Sequence, residues 1–126
     1  MLLAGIDLVE IQRIKKSMQN PRFLLRILGP SEYAQLELRG FPVQSVAASF
    51  SAKEAFSKAL GTGFRGFSLR EVELLRSENG RPSFKLSGNA LEITQERKIV
   101  FQVSVTHTKE YASAVVIGEE PENAGT

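Results

Sequence analysis

The chain has no cysteine, which rules out disulfide frameworks, thiolate zinc sites and cysteine nucleophiles. No apolar run approaches the eighteen or so residues of a membrane span, and the N-terminus lacks a signal-peptide pattern. A soluble, cytoplasmic protein without a membrane partner is therefore expected. No Walker-type glycine loop is present, which removes the commonest phosphate cradle. Strong net charge is missing too: the balance is +2, and a small basic excess is enough to raise the pI to about 9.1. The basic residues are not interleaved with stacking aromatics and match no RNA- or DNA-binding signature, so nucleic acid is not an expected partner. Internal repeats and low-complexity tracts are also absent.

What is present suits one compact domain with a core: 126 residues, 42% hydrophobic, with eight phenylalanines. Charge is distributed unevenly. Residues 11–28 hold five basic side chains (Arg13, Lys15, Lys16, Arg22 and Arg26) and no acidic one, whereas the tail from Glu119 holds three glutamates and no base. A basic face on a nearly neutral chain points to an acidic partner, with a plain solvated helix face as the alternative.

Hydrophobic periodicity and turn signals predict a strand over residues 2–9, a helix over 10–18 broken at Asn20-Pro21, and short helices over 22–28 and 31–38. A long helix over 44–60 follows. Strands are predicted over 67–76 and 83–86, joined through Asn79-Gly80, then a helix over 89–97 and strands over 99–106 and 111–117. This order gives an α+β domain, an antiparallel sheet packed on one long central helix with shorter helices. The domain is expected to span residues 1–118, with 119–126 a flexible acidic tail.

The long helix is the most informative segment. Ala48, Ala52, Ala55, Phe56, Ala59 and Leu60 gather on one arc, and small residues there let another backbone come close. Glu54 points roughly the opposite way, with Lys58 one turn on. Charges on a helix sunk into a protein suggest a site for a metal and a phosphate. A plain i,i+4 salt bridge between Glu54 and Lys58 is the alternative, worth about 0.3–0.5 kcal/mol on an exposed helix.

Asp7 is placed at a strand-to-helix junction, where it reads first as an N-cap and second as a metal ligand. With Glu54 it would form the pair of carboxylates that Mg²⁺ commonly takes. Lys53 and Lys58 can hold phosphate oxygens as point charges. The turn at Gly61-Thr62-Gly63 can offer backbone N–H groups to the same anion, or simply cap the helix. His107 is the only histidine, at a strand end beside hydroxyl residues, where it can donate to a phosphate or move a proton, though a lone histidine is most often incidental.

Three segments taken together are specific. Gly5-Ile6-Asp7 through Arg13-Ile14, Phe50 through Gly63, and Ser104-Val105-Thr106-His107 through Ala114 resemble the three signature blocks of the 4′-phosphopantetheinyl transferases, in particular their short bacterial type. The resemblance runs from Leu3 to Ile117 and includes the Asn79-Gly80-Arg81-Pro82 turn. It implies transfer of the phosphopantetheine arm of coenzyme A to a serine of apo-acyl carrier protein, with adenosine 3′,5′-bisphosphate as the other product. By motif, Asp7 and Glu54 would bind Mg²⁺ with the pyrophosphate, and Lys58 would neutralise phosphate charge. Lys53, Gly61, Thr106 and His107 would lie at the coenzyme, and Arg13, Arg22 and Arg26 on the face that docks the carrier. The base for the serine proton would be Glu54 or a metal-bound water that it orients. The family fold and a homotrimer with sites between protomers are implied as well.

Two departures stand out: Ser49 replaces an arginine common just before Phe50, and the first block is a residue shorter before Asp7. The competing reading is a non-catalytic basic module that binds an acidic protein; binding of the carrier without coenzyme A turnover would favour it.

Overall fold

A computed structural model describes residues 1–122 of the chain. Strand β1 (Leu2–Glu10) leads directly into helix α1 (Ile11–Ser17), followed by α2 (Phe23–Ile27), α3 (Pro30–Leu38) and the long α4 (Val43–Leu60). A 3₁₀ turn at Leu69–Glu71 precedes the hairpin of β2 (Val72–Arg76) and β3 (Pro82–Leu86). Helix α5 (Gly88–Arg97) then leads to β4 (Val100–His107) and β5 (Tyr111–Glu119). The strands form two antiparallel sheets, one ordered β1-β5-β4 and the other the β2–β3 hairpin.

Helix α4 is the axis of the fold. Its small residues let it lie against the inner face of the three-stranded sheet, and Ala47, Ala48, Ala52, Ala55, Phe56, Ala59 and Leu60 are all buried. The closest approach is at Gly5 of β1, where a Cβ would collide with the carbonyl oxygen of Ala55 and lie 2.6 Å from the backbone N of Ala59. Phe56 anchors the C-terminal half of α4, its ring tilted at 4.7 Å from Phe101 and edge-on to Phe67 and Phe84 at 5.7 and 5.4 Å. A second apolar cluster joins the N-terminal half of α4 to α1, α2 and α3 through Ile14, Ile27, Leu28, Leu36 and Val46. Gly61 ends α4 in the left-handed conformation that its missing side chain permits.

Only a narrow stripe of α4 escapes burial after its first turn: Phe50, Glu54 and Lys58, spaced four residues apart on one face.

Three expectations change. Residues 67–71 are not strand: Ser68 and Glu71 close a 3₁₀ turn, the Glu71 carboxylate accepting the Ser68 N–H at 3.0 Å. Asp7 is no N-cap, because β1 continues through Glu10 and places Asp7 inside the strand, opposite Ala114 of β5. At the other end β5 runs through Glu119, and Arg97 grips Glu120 with Nε at 2.7 Å. The ordered chain thus extends past the boundary expected at Glu119; residues 123–126 of the expected tail lie outside the described residues. Among the described residues, no helix is long and apolar enough to cross a membrane.

Candidate active site

β1 alternates between an inner face carrying Leu3, Gly5, Asp7 and Val9 and an outer face carrying Leu2, Ala4, Ile6 and Leu8. The inner face meets α4, so Asp7 is turned toward the Glu54–Lys58 stripe. Lys58 Nζ donates to Asp7 Oδ1 at 3.1 Å and to the Ile6 carbonyl at 3.0 Å. The Asp7 side chain is 15% exposed and Lys58 55%, so the pair opens to solvent on the lysine side. Two hydroxyls steady the strand from opposite sides: Ser51 and Ser113 both donate to the backbone carbonyl of Asp7, at 3.1 and 2.7 Å. The i,i+4 bridge from Lys58 to Glu54 is not formed; Lys58 goes to β1 instead.

Glu54 is thereby left as a half-buried carboxylate with another carboxylate as its neighbour. Burial first, and repulsion from Asp7 second, hold its carboxyl above the ordinary value, while Lys58 and Arg13 pull it down. Among the described residues, no group hydrogen-bonds or ion-pairs with its carboxylate. A pair of carboxylates that repel one another across an open face, with one ammonium on a single member, has the donor chemistry of a Mg²⁺ site. That ion takes one or two carboxylates and completes its shell with water and phosphate oxygens. No group of three or more acidic or histidine side chains suited to holding a metal occurs among the described residues, as that habit allows.

Arg13 is nearer the site than the sequence indicates. It sits on α1 close enough to favour ionisation of Glu54, and it lines a cleft of about 490 Å³ with Glu10, Gln12, Lys15, Lys16 and Gln19. Arg22 and Arg26, flanking and ending α2, are exposed. All three arginines of the expected docking face are free to meet a partner, and Arg13 joins that face to the carboxylates.

Other expected contacts are not formed within this chain. Lys53 is wholly buried on another side of α4, where its ammonium donates to Glu32 Oε1 at 2.6 Å and to the carbonyls of Leu69 and Val72 at 3.1 and 2.5 Å. It cannot touch an external phosphate. Burial drives its pKa down and that of Glu32 up, with their mutual attraction opposing both. The Gly61 N–H is taken by the carbonyls of Ser57 and Lys58, so the cap reading holds for it. Thr106 and His107 lie on β4, separated from β1 by the width of β5, in the rows Leu8–Ser113–Thr106 and Val9–Ala112–His107. At about 4.8 Å per strand, this sets His107 roughly 10 Å from the β1 backbone, at the end of the sheet and exposed. Ser49, the departure from the arginine pattern, is buried one turn before Lys53 and faces Leu36 and Leu74 rather than Asp7.

Comparison with known proteins bears on the family and the fold. Residues 4–116 match the model of the 4′-phosphopantetheinyl transferase superfamily. A holo-[acyl-carrier-protein] synthase of Caldanaerobacter subterraneus is 40% identical over 125 residues, covering 98% of each chain. The crystal structure of the Neisseria meningitidis holo-[acyl-carrier-protein] synthase superposes with a TM-score of 0.87 at 32% identity, covering 94% of this chain and 98% of that one. The Helicobacter pylori synthase, solved in complex with coenzyme A, gives 0.80 at 32% identity, covering 93% and 100%.

Proposed function

The chain belongs to the 4′-phosphopantetheinyl transferase superfamily, as an enzyme of the holo-[acyl-carrier-protein] synthase group, and we propose that it moves the phosphopantetheine arm of coenzyme A to a serine of apo-acyl carrier protein. The observation that carries this reading is the meeting of Asp7 and Glu54, forty-seven positions apart by subtraction of their numbers, around the exposed ammonium of Lys58. Relatives solved with coenzyme A support the same substrate here.

In the proposed reaction the serine oxygen bonds to the pantetheine-side phosphorus of the pyrophosphate. The bond from that phosphorus to the bridging oxygen breaks, and adenosine 3′,5′-bisphosphate leaves. Asp7 and Glu54 would hold Mg²⁺, which supplies charge neutralisation to the pyrophosphate. Lys58 adds a point charge that can extend to phosphate oxygens from its seat against β1. The base for the serine proton is Glu54 itself or a metal-bound water that it orients. Arg13, Arg22 and Arg26 form the docking face for the acidic carrier, and Arg13 brings that face up to the reacting groups.

The outer face of the three-stranded sheet supports assembly into a homotrimer. Leu2, Ile6 and Leu8 are exposed by 64–75%, and Ile6 and Ala4 stand opposite the exposed Val115 and Ile117. The exposed Thr106 borders this face. In such an assembly Thr106 and His107, distant from the carboxylates within one chain, would be available to a neighbouring protomer's site. We read the chain through β5 and the Arg97–Glu120 pair as a single transferase domain working in the cytoplasm.

The test is incubation with coenzyme A, Mg²⁺ and apo-acyl carrier protein, followed by mass spectrometry of the carrier. A phosphopantetheine adduct that requires Mg²⁺ is the expected result. Carrier binding with no adduct would reduce the protein to a binding module.

A further inference from the structure

The fold holds a second ionic cluster that the proposed chemistry does not use. Lys53, Glu32 and Glu73 are 0%, 0% and 2% exposed. The three N–H bonds of the Lys53 ammonium go to Glu32 and to the carbonyls of Leu69 and Val72, at either end of the 3₁₀ turn. Glu32 in turn accepts the N–H of Gly29 at 3.2 Å and of Leu74 at 3.0 Å, and Glu73 accepts the Glu32 N–H at 2.9 Å. Gly29 is packed so tightly against Glu73 and the Arg70 carbonyl that a Cβ would overlap both. The Lys53 ammonium and both oxygens of Glu32 have fixed partners, and the knot ties α4 to α3, the 3₁₀ turn and β2.

Buried ion pairs are poor sources of stability, since well-packed apolar residues often serve as well or better. Their best-attested use is to specify one geometry, as a single buried polar residue fixes register in a coiled coil. Lys53 immediately precedes Glu54, and neighbouring residues project about 100° apart around a helix. A side chain locked at Lys53 therefore fixes the rotation of α4 about its own axis, and with it the direction of Glu54. A carboxylate on an arm of about 6 Å moves roughly 2 Å when its helix turns by about 20°. Phe56 holds the C-terminal half of α4 by apolar packing that has no fixed direction, and the three directional bonds of Lys53 add a fixed azimuth one residue from Glu54.

We propose that Lys53 is a positioning residue: anchored by Glu32 and the Leu69 and Val72 carbonyls, it sets the azimuth of α4 so that Glu54 faces Asp7 at the distance that a metal and a pyrophosphate require. This rests on the transferase reading above and assigns to the buried lysine a part in it. Outer-shell groups that orient metal ligands are typically worth about 10–100-fold in metal affinity or activity.

The experiment compares wild type, Lys53→Met, Lys53→Arg and the double variant Glu32→Gln/Lys53→Met. Mn²⁺ is titrated by electron paramagnetic resonance in the presence of coenzyme A, alongside thermal unfolding and transfer kinetics. Lys53→Met leaves Glu32 charged and unpartnered, so it lowers Tm and weakens Mn²⁺ binding about 10–100-fold. The double variant removes the stranded charge and regains thermal stability. If positioning is the role, it does not regain Mn²⁺ affinity or kcat, while KM for the carrier protein stays near wild type. Lys53→Arg, keeping the charge in a differently shaped head, folds and still binds Mn²⁺ more weakly than wild type. The inference is overturned if Mn²⁺ affinity returns with Tm in the double variant, or if both the double variant and Lys53→Arg bind Mn²⁺ like wild type. A wild-type protein that makes no adduct from coenzyme A would instead refute the transferase reading, a separate result.

Discussion

Two ionic clusters flank helix α4, built from the same kinds of side chain and joined through adjacent residues, and they differ in what is left over. Around Lys53 the ammonium and both Glu32 oxygens are met by protein, and both side chains are wholly buried. Around Glu54 one carboxylate is unpartnered, a second repels it, and the one ammonium in contact is more than half exposed. A closed cluster shapes the molecule. An open one has room for something from outside, and the proposed Mg²⁺ and pyrophosphate match it, cationic toward the carboxylates and anionic toward Lys58 and Arg13.

The sharpest break of the comparison is a pair of one-residue changes at adjacent positions. Glu54→Gln should cut transfer by about 10³-fold or more while the protein stays folded, since a metal ligand is lost from an open site. Retained transfer would remove Glu54 from the chemistry. Lys53→Met should do its first damage to stability, about 3–5 kcal/mol in denaturant unfolding, because a buried carboxylate loses its partner. Equal stability losses at the two positions would erase the distinction between the clusters.

Gly5→Ala probes the contact that brings β1 to the open cluster. The added methyl meets the backbone of Ala55 and Ala59, which cannot move aside as a side chain can. A loss of about 1–3 kcal/mol is expected, together with lower transfer as Asp7 is pushed away from Glu54. Unchanged stability and kinetics would show that the approach is not needed. Arg13→Glu should raise KM for the carrier by about tenfold, an effect that shrinks in high salt. A KM that ignores both the substitution and the salt would clear Arg13 of docking.

The smallest effect has the most telling sign. The folded-state pKa of Glu54 is raised, so its favourable contribution is present below the unfolded value and is lost as pH rises through the folded one. At neutral pH without metal the ionised carboxylate is a cost, and Glu54→Gln should raise Tm slightly, by about 1–3 °C after allowance for solvent screening. The gain should vanish below about pH 4. A fall in Tm at neutral pH would mean that Glu54 is satisfied within the protein after all.

Much of this was legible in the sequence, for reasons that particular residues show. The limits of α4 follow from Pro42 and Gly61, and its buried arc from the alanine spacing, so Glu54 and Lys58 could be singled out before any fold was known. Asp7 was paired with Glu54 on carboxylate chemistry alone, and the motif resemblance strengthened that pairing. Local rules favoured an N-cap at that position, and what overrides them is the pairing of β1 with β5, a contact between the two ends of the chain. Lys53 was misread as a phosphate contact because the heptad-scale pattern around it does not say where Glu32, Leu69 and Val72 converge. The partner of Lys58 was missed similarly: helix spacing offers Glu54, but strand proximity gives it Asp7 and the Ile6 carbonyl. Arg13 was chosen for its basic neighbours, and only the turn from β1 into α1 brings it beside Glu54. In each case the missing information is long-range.

The most direct test of the open cluster is the mass of apo-acyl carrier protein after incubation with coenzyme A and the wild-type or Glu54→Gln protein, with and without Mg²⁺. The account predicts a phosphopantetheine adduct with wild type and Mg²⁺ only. An adduct of equal yield with Glu54→Gln, or none with wild type and Mg²⁺, would contradict it.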